Sequence, residues 1–144
     1  MCSSTSPPNP VSERPARGLL DTSVVIDMES LAAEDLPMEL AISAVTLAEL
    51  SAGPSAPGSL EERSRRQDRL QRVEAAFDPI PFEVGAARAY GRVYAAVVAM
   101  GRQPRRRFAD LMIAAVALDQ GLPLLTRNPD DFRGLDHLIT IIPV

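Results

Sequence analysis

Short apolar runs separated by helical patterns dominate this chain. Apolar runs without polar alternation occur at residues 18–20, 40–43, 122–126 and 139–143. Such runs are typical of strands that are buried on both faces of a sheet. Helical segments lie between them, and this order indicates βαβ units. The pattern therefore predicts an α/β fold with a mostly parallel sheet.

Five segments have the periodicity of helices. Two glycines, Gly101 and Gly121, follow the last two segments and predict their ends. The segment at 59–77 alternates acids and arginines around a narrow apolar stripe, as an exposed helix does. The five predicted helices cover residues 24–31, 45–50, 59–77, 83–100 and 108–118.

Length and composition predict one domain. The chain has 144 residues, of which 46% are hydrophobic, enough for a single core. Residues 1–16 are rich in serine and proline, contain the lone Cys2 and predict a flexible arm before a domain at 17–144. No apolar run approaches the roughly 20 residues that span a bilayer, and the first residues lack a signal-peptide core. We therefore expect a cytoplasmic protein without a membrane segment.

Charge narrows the range of partners. The net charge is -4 with a pI near 5.0, and all 15 basic residues are arginine. This balance argues against broad, nonspecific attraction to nucleic acid. A local basic patch remains compatible with it, and residues 102–107 form one in the sequence.

Several acids fall where a parallel sheet collects its ligands. Asp21 follows the first strand and Thr126 ends a later one. Glu49 and Asp110 are expected in the first turns of helices that leave the same edge. Ligands bind at the carboxyl ends of parallel strands, so these side chains are expected to converge.

Each of these residues also has a purely structural interpretation. Thr46 and Glu49 fit a capping box, and Asp110 could favour the positive end of its helix. Asp21 could cap a helix, although Thr22 or Ser23 could do the same. Asp130 or Asp131 could stabilise a turn. All of these sites nevertheless map to one predicted edge of the sheet, which favours a shared function.

Clustered carboxylates repel one another and favour a bound cation. The single histidine, His137, lies outside the cluster, and oxygen ligands favour Mg²⁺ or Mn²⁺ over zinc. Such an ion can lower the pKa of bound water and stabilise charge on a phosphoryl group. The residues therefore predict a metal-dependent nuclease.

Four motifs in this order resemble the PIN-domain family, in particular the VapC ribonuclease toxins of toxin-antitoxin pairs. They are LDTSVVI at 20–26, TLAEL at 46–50, DLMIAA at 110–115, and LTRN at 125–128 followed by Asp131-Phe132. The similarity spans residues 18–144, and the four motifs together are fairly specific. It implies a three-layer α/β/α sandwich, dependence on Mg²⁺ or Mn²⁺, cleavage of RNA by a metal-activated water, and inhibition by a VapB-like antitoxin.

The resemblance also implies roles for particular residues. Asp21, Glu49 and Asp110 match the first three acids of the family, which hold the metal or its waters. Asp130 and Asp131 are both candidates for the fourth acid; Asp131 is preferred because it precedes Phe132. Candidates for contact with RNA or antitoxin are Thr22, Arg105, Arg106, Arg107, Thr126 and Asn128.

Two interpretations of other segments stay open. Arg105, Arg106 and Arg107 could hold RNA phosphates, pair with an acidic antitoxin segment, or form a solvated loop. The helix at 83–100 carries glycine and alanine at close-packing positions and could form a homodimer or simply be buried in the domain.

Other function classes fit the residues less well. A haloacid-dehalogenase-like phosphatase expects an acid where Ser23 stands, and both it and a receiver domain use a lysine that this chain lacks. No glycine-rich phosphate loop is present. The alternative is a PIN-like module that binds RNA or protein without cutting, although the intact acids favour the nuclease.

Overall fold

The computed structural model describes residues 14–144. Its sheet has four parallel strands in the order β2-β1-β3-β4. The strands are β1 Arg17–Leu20, β2 Glu39–Ala41, β3 Leu124–Thr126 and β4 Ile141–Pro143. Ser43 and Ile80 add an isolated parallel bridge. The predicted parallel sheet is confirmed.

Five α-helices surround the sheet. They are α1 Thr22–Ile26, α2 Ala44–Ala52, α3 Leu60–Ala76, α4 Val84–Ala99 and α5 Phe108–Gln120. Short 3₁₀ turns lie at Met28–Ser30, Ala33–Asp35, Gly53–Ser55, Pro104–Arg107 and Pro129–Phe132. Gly121 ends α5 in the left-handed conformation, at φ 66°, as its position after the helical pattern predicted.

Two apolar layers form the core, one on each face of the sheet. Leu19 packs into the layer beneath α4 and α5, whereas its neighbour Leu20 packs into the layer beneath α1, α2 and α3. Successive strand residues point to opposite faces, so a strand buried on both faces needs apolar residues at every position. This arrangement is the predicted three-layer α/β/α sandwich.

Strand order determines where a site can form. From β1 the chain crosses to β2 on one side, and it later returns to β3 on the other side of β1. The order therefore reverses between β1 and β3. A crevice for ligands opens at such a switch point, outside the carboxyl ends of the two strands.

The first helix differs from its prediction. The pattern predicted one helix over 24–31, whereas α1 ends at Ile26 and a 3₁₀ turn, Met28–Ser30, follows. The backbone N–H of Asp27 still bonds to the carbonyl of Ser23, and the chain then tightens. Five residues are too few for helical propensity to maintain a helix, so packing of Val24 and Val25 against the sheet defines it.

The proposed arm and Cys2 lie almost entirely outside the described residues. Within those residues, the carbonyls of Pro15 and Ala16 accept bonds from the N–H groups of Met38 and Glu39, extending the β1–β2 pairing. No helix found between residues 14 and 144 is both long and apolar enough to cross a membrane.

Candidate active site at the carboxyl edge of the sheet

Asp21 lies directly after β1 and is 3% exposed. Its Oδ2 accepts hydrogen bonds from Ser23 Oγ at 2.8 Å and Thr126 Oγ1 at 2.9 Å. Its Oδ1 is also buried and has no hydrogen-bond partner among the described residues. A buried carboxylate oxygen without a partner is costly, so Oδ1 is suited to a ligand that the protein itself does not supply.

The two hydroxyls that hold Asp21 are themselves fixed by the backbone. Ser23 Oγ accepts the N–H of Arg127, and Thr126 Oγ1 accepts the N–H of Asn128. Each hydroxyl therefore donates its proton to Asp21 while its oxygen anchors the loop after β3. Thr126 is fully buried, and its side chain supports Asp21.

Asp21 occupies the N-cap position of α1, but its side chain makes no capping bond. The expectation that Thr22 or Ser23 would cap this helix is wrong. Ser23 bonds to Asp21, and Thr22 bonds across to α2. The side chains of Asp21, Thr22 and Ser23 therefore all make contacts within the site, and none of them caps the amides of α1.

Glu49 reaches the site from the exposed face of α2. Thr22 Oγ1 donates to Glu49 Oε1 at 2.6 Å and lies 2.9 Å from Thr46 Oγ1. A hydroxyl has one proton, so the buried Thr46 donates to Thr22. This chain of hydroxyls orients the Glu49 carboxylate.

Two expectations about Glu49 are wrong. Helix α2 begins at Ala44, which places Glu49 in the second turn instead of the first. The capping box of Thr46 and Glu49 does not form, because Ser43 is the N-cap and accepts the N–H of Thr46. Glu49 is therefore free of a capping role.

Asp110 lies in the first turn of α5, as predicted, and is half-buried. Its pKa is raised from 3.8 to about 7, first by desolvation and then by the charges of Asp21, Asp131 and Glu49, while Arg107 lowers it. The mutual repulsion means that the four carboxylates share one electrostatic environment. We call Asp21, Glu49, Asp110 and Asp131 the acid cluster.

The structure separates the two candidates for the fourth acid. Asp131 pairs with Arg107, has a side chain 29% exposed and acts on the pKa of Asp110. The side chain of Asp130 is 75% exposed and pairs with Arg133 on the surface. Asp131 therefore joins the acid cluster, and Asp130 points away from it.

Arg107 differs from the other two arginines of the predicted basic loop. Instead of a loop, the three residues form a 3₁₀ turn that ends against α5. Arg107 turns inward to Asp131, whereas Arg105 and Arg106 are exposed. Its position three residues before Asp110 is the one sequence signal of this role.

The remaining polar candidates lie outside the acid cluster. Asn128 is exposed and uses its backbone N–H, not its side chain, in the contact with Thr126. Asp27 pairs with Arg127 at 3.4 Å on the surface. His137 is exposed.

The donor set fits a hard divalent cation that keeps part of its water. Between residues 14 and 144, no three Asp, Glu, His or Cys side chains form a group that could hold an ion. Mg²⁺ commonly takes one or two carboxylates and retains several waters. The free Oδ1 of Asp21 and the carboxylate of Asp110 can serve as direct ligands, and the other two acids can accept bonds from bound water.

Comparison with known proteins agrees with this geometry. Residues 18–138 match the PIN domain. Ribonuclease VapC5 of Mycobacterium tuberculosis is 40% identical over 134 residues, covering 91% of this chain and 96% of that protein. Ribonuclease VapC8 of the same organism is 40% identical over 101 residues, covering 69% and 89%.

A solved structure shows the same fold. The crystal structure of VapBC-5, a member of the VapBC family of toxin-antitoxin systems from M. tuberculosis, superposes with a TM-score of 0.76 at 37% identity. The similarity covers 90% of this chain and all of that one. The chain belongs to the PIN domain family.

Proposed function

We propose that this protein is a Mg²⁺- or Mn²⁺-dependent endoribonuclease and the toxin of a VapBC-type toxin-antitoxin pair. The observation that carries the proposal is the acid cluster, with Oδ1 of Asp21, which has no hydrogen-bond partner between residues 14 and 144, at its buried side. The 40% identity to Ribonuclease VapC5 supports RNA as the substrate. An RNA substrate also favours action in the cytoplasm.

The acids and the hydroxyls of the site have different roles. Asp21 and Asp110 would hold the cation, while Glu49 and Asp131 would complete the negative charge around its waters. A divalent cation would supply an activated water and stabilise charge on the phosphoryl group. Ser23 and Thr126 keep Asp21 in place, and Thr22 orients Glu49.

Two observations suggest a protein partner: the assembly in which a solved relative occurs, and an exposed basic surface on this chain. The solved relative belongs to a family of toxin-antitoxin systems, and we propose a VapB-like antitoxin for this chain. Exposed Arg105 and Arg106 give such a partner, or RNA, a basic surface beside the acid cluster. A short gene for a DNA-binding protein directly upstream would support this pairing, and its absence would favour a nuclease without an antitoxin.

A homodimer is also proposed. Helix α4 buries Ala86 and Val93 in the core but leaves Val84, Tyr94 and Val98 exposed. These three residues form an apolar strip at helical spacing, which a second copy could cover. Light scattering of wild type and Tyr94→Arg tests it: a dimer that the substitution dissociates supports the strip, and a wild-type monomer refutes it.

The alternative is a PIN-like module that binds RNA or protein without cutting. All four acids of the cluster are present, and the half-buried Asp110 is destabilised by its neighbours when ionised, a cost that pure binding would not require. Both points favour catalysis.

Cleavage of structured RNAs by the purified protein tests the function. We expect cleavage with Mg²⁺ or Mn²⁺, none with EDTA, and loss of at least about 100-fold for Asp21→Asn and Asp110→Asn. Asp78→Asn, an exposed acid outside the cluster, is the matched control. Equal cleavage by the two cluster variants would refute the assignment.

A further inference from the structure

The Arg107 side chain lies between an acidic region on one side and a basic region on the other. On one side its guanidinium pairs with Asp131 of the acid cluster. On the other it lines a cavity of about 370 Å³ whose remaining lining residues are Arg102, Gln103 and Arg106. We call this cavity the arginine pocket. No acid lines it.

The arginine pocket is suited to binding an anion. Arg102 is fixed because its guanidinium donates to the carbonyl of Asp130 at 2.7 Å, which ties the segment just before the 3₁₀ turn Pro104–Arg107 to the loop after β3. Arg106 makes no ion pair with any residue from 14 to 144 and is exposed. Guanidinium groups bind phosphate by two parallel N–H bonds, and a fixed guanidinium loses less entropy on binding.

On its other side, the Arg107 guanidinium lies beside negative charge, because it pairs with Asp131. The charge of this guanidinium lowers the pKa of Asp110, which partly compensates the repulsion from the neighbouring acids. A divalent cation entering the cluster would be repelled by this guanidinium. Once bound, the cation would itself compensate the repulsion among the acids. The Arg107 side chain, about one-third exposed, would then be free to turn to the adjoining pocket.

We propose that Arg107 exchanges partners during the reaction cycle: it neutralises Asp131 while the metal is absent, and it binds a backbone phosphate of RNA in the arginine pocket once the metal is present. The identity of the anion rests on the proposed ribonuclease function. The exchange couples the two sites, because the metal is needed to release the arginine that helps to hold the substrate. Arg107 is thus a substrate-binding residue that also lowers the affinity of the free protein for its metal.

The first half of the test measures metal binding without RNA. Mn²⁺ is titrated by calorimetry into full-length wild type, Arg107→Gln and Arg107→Lys. The control is Arg88→Gln, an exposed arginine of α4 that makes no ion pair with another described residue. Removing the competing cation is expected to tighten Mn²⁺ binding of Arg107→Gln by at least about threefold, with Arg107→Lys and Arg88→Gln within about twofold of wild type.

The second half measures RNA binding without cleavage. A fluorescent eight-nucleotide RNA is bound with Ca²⁺ in place of Mg²⁺, and a gel verifies that it stays intact. Arg107→Gln is expected to bind it about tenfold more weakly, with a slope of log affinity on log salt reduced by about 0.7, the value for one phosphate contact on a single strand. Arg107→Lys should retain most of the binding.

The outcomes separate the exchange from the proposed function. Unchanged or weaker Mn²⁺ binding by Arg107→Gln, or unchanged RNA binding, overturns the exchange, even if wild type cleaves RNA. Tighter Mn²⁺ binding with weaker RNA binding supports it, even if wild type proves unable to cleave. Circular dichroism of each variant checks that it is folded.

Discussion

Thr126 donates a hydrogen bond of 2.9 Å to Asp21, although 105 positions separate the two residues. The bond joins the carboxyl ends of β1 and β3 at the point where the strand order reverses. Asp21 is almost completely buried, so this donor replaces hydration that the carboxylate loses on folding. One hydrogen bond therefore serves both the sheet and the site.

Removal of this donor should cost stability. Thr126→Val conserves shape but deprives Asp21 of a donor and Asn128 N–H of its acceptor, and we expect a loss of about 1–3 kcal/mol in the free energy of unfolding. Thr126→Ser keeps the hydroxyl and should lose about 1 kcal/mol or less. Urea unfolding at neutral pH measures both. A valine variant as stable as the serine variant would contradict the role of the bond.

Ionisation of Asp110 should destabilise the metal-free protein. Its pKa is about 7 when folded and near 3.8 when unfolded, so between these values the folded state holds a proton that the unfolded state lacks. The stabilisation that comes from this preferential protonation of the folded state is complete below pH 3.8 and is lost as pH rises through 7. In EDTA, Asp110→Asn should therefore melt above wild type at pH 8, by about 2–4 °C, and close to it at pH 4.

Thermal melts across this pH range, with Asp78→Asn as the control, check the expectation. Asp78 is an exposed acid outside the cluster, so its substitution should shift the melting temperature little and without this pH dependence. A stabilisation by Asp110→Asn that is equal at pH 4 and pH 8 would mean that the repulsion is not its cause.

Metal binding should follow the same titration. A carboxylate must lose its proton before it can hold a cation, so Mg²⁺ affinity should fall as pH drops below 7. We expect saturating Mg²⁺ to raise the melting temperature of wild type more at pH 8 than at pH 5.5. The Asp110→Asn variant should show less stabilisation at both. A wild-type shift independent of pH would argue against Asp110 as a ligand.

Two adjacent acids offer an internal comparison. Asp131 lies in the acid cluster beside Arg107, whereas Asp130 pairs with Arg133 at 2.6 Å on the surface. Cleavage assays should show a loss of at least about 30-fold for Asp131→Asn, in the range expected when one group of a catalytic site is removed, and less than about threefold for Asp130→Asn. The reverse order would exchange their assignments.

Two glycines should respond oppositely to alanine. A Cβ on Gly18 would lie 2.6 Å from Leu125 Cδ1 and 3.0 Å from Pro37 Cγ, so Gly18→Ala should cost about 1–3 kcal/mol of stability by overpacking. Gly91 lies in the interior of α4 with nothing within 4 Å of such a Cβ. Gly91→Ala should stabilise the monomer by about 0.5–1 kcal/mol. Urea unfolding measures both, and two changes of the same sign would contradict the packing argument.

Much of the fold could be predicted because its signals are local. Apolar runs without alternation identify strands buried on both faces, and Gly121 marks the end of α5. Element boundaries were less certain, as α1 shows, because packing on the sheet sets where a short helix ends. The acids Asp21 and Asp110 could be found because position relative to a strand end or helix start is a sequence property.

The hydrogen-bond partners could not be found in this way. Thr22 could cap a helix in any local sense, yet it bonds to Glu49, 27 residues away, because α2 packs beside α1. Ser43 replaces Thr46 as the cap of α2 for a similar reason: the true start of the helix depends on where β2 leaves the sheet. Short polar side chains accept many partners, and only packing selects one.

The sequence by itself determined the chemistry: which acids exist, their order, and the strand ends and helix starts that carry them. Only the tertiary structure decided how they are used. It buried Asp21 with one oxygen that has no partner among the described residues, placed Asp131 instead of Asp130 in the acid cluster, and turned Arg107 inward between that cluster and the arginine pocket. The physical reason is that charge and burial act through space, and the contacts that determine them join residues far apart in the chain.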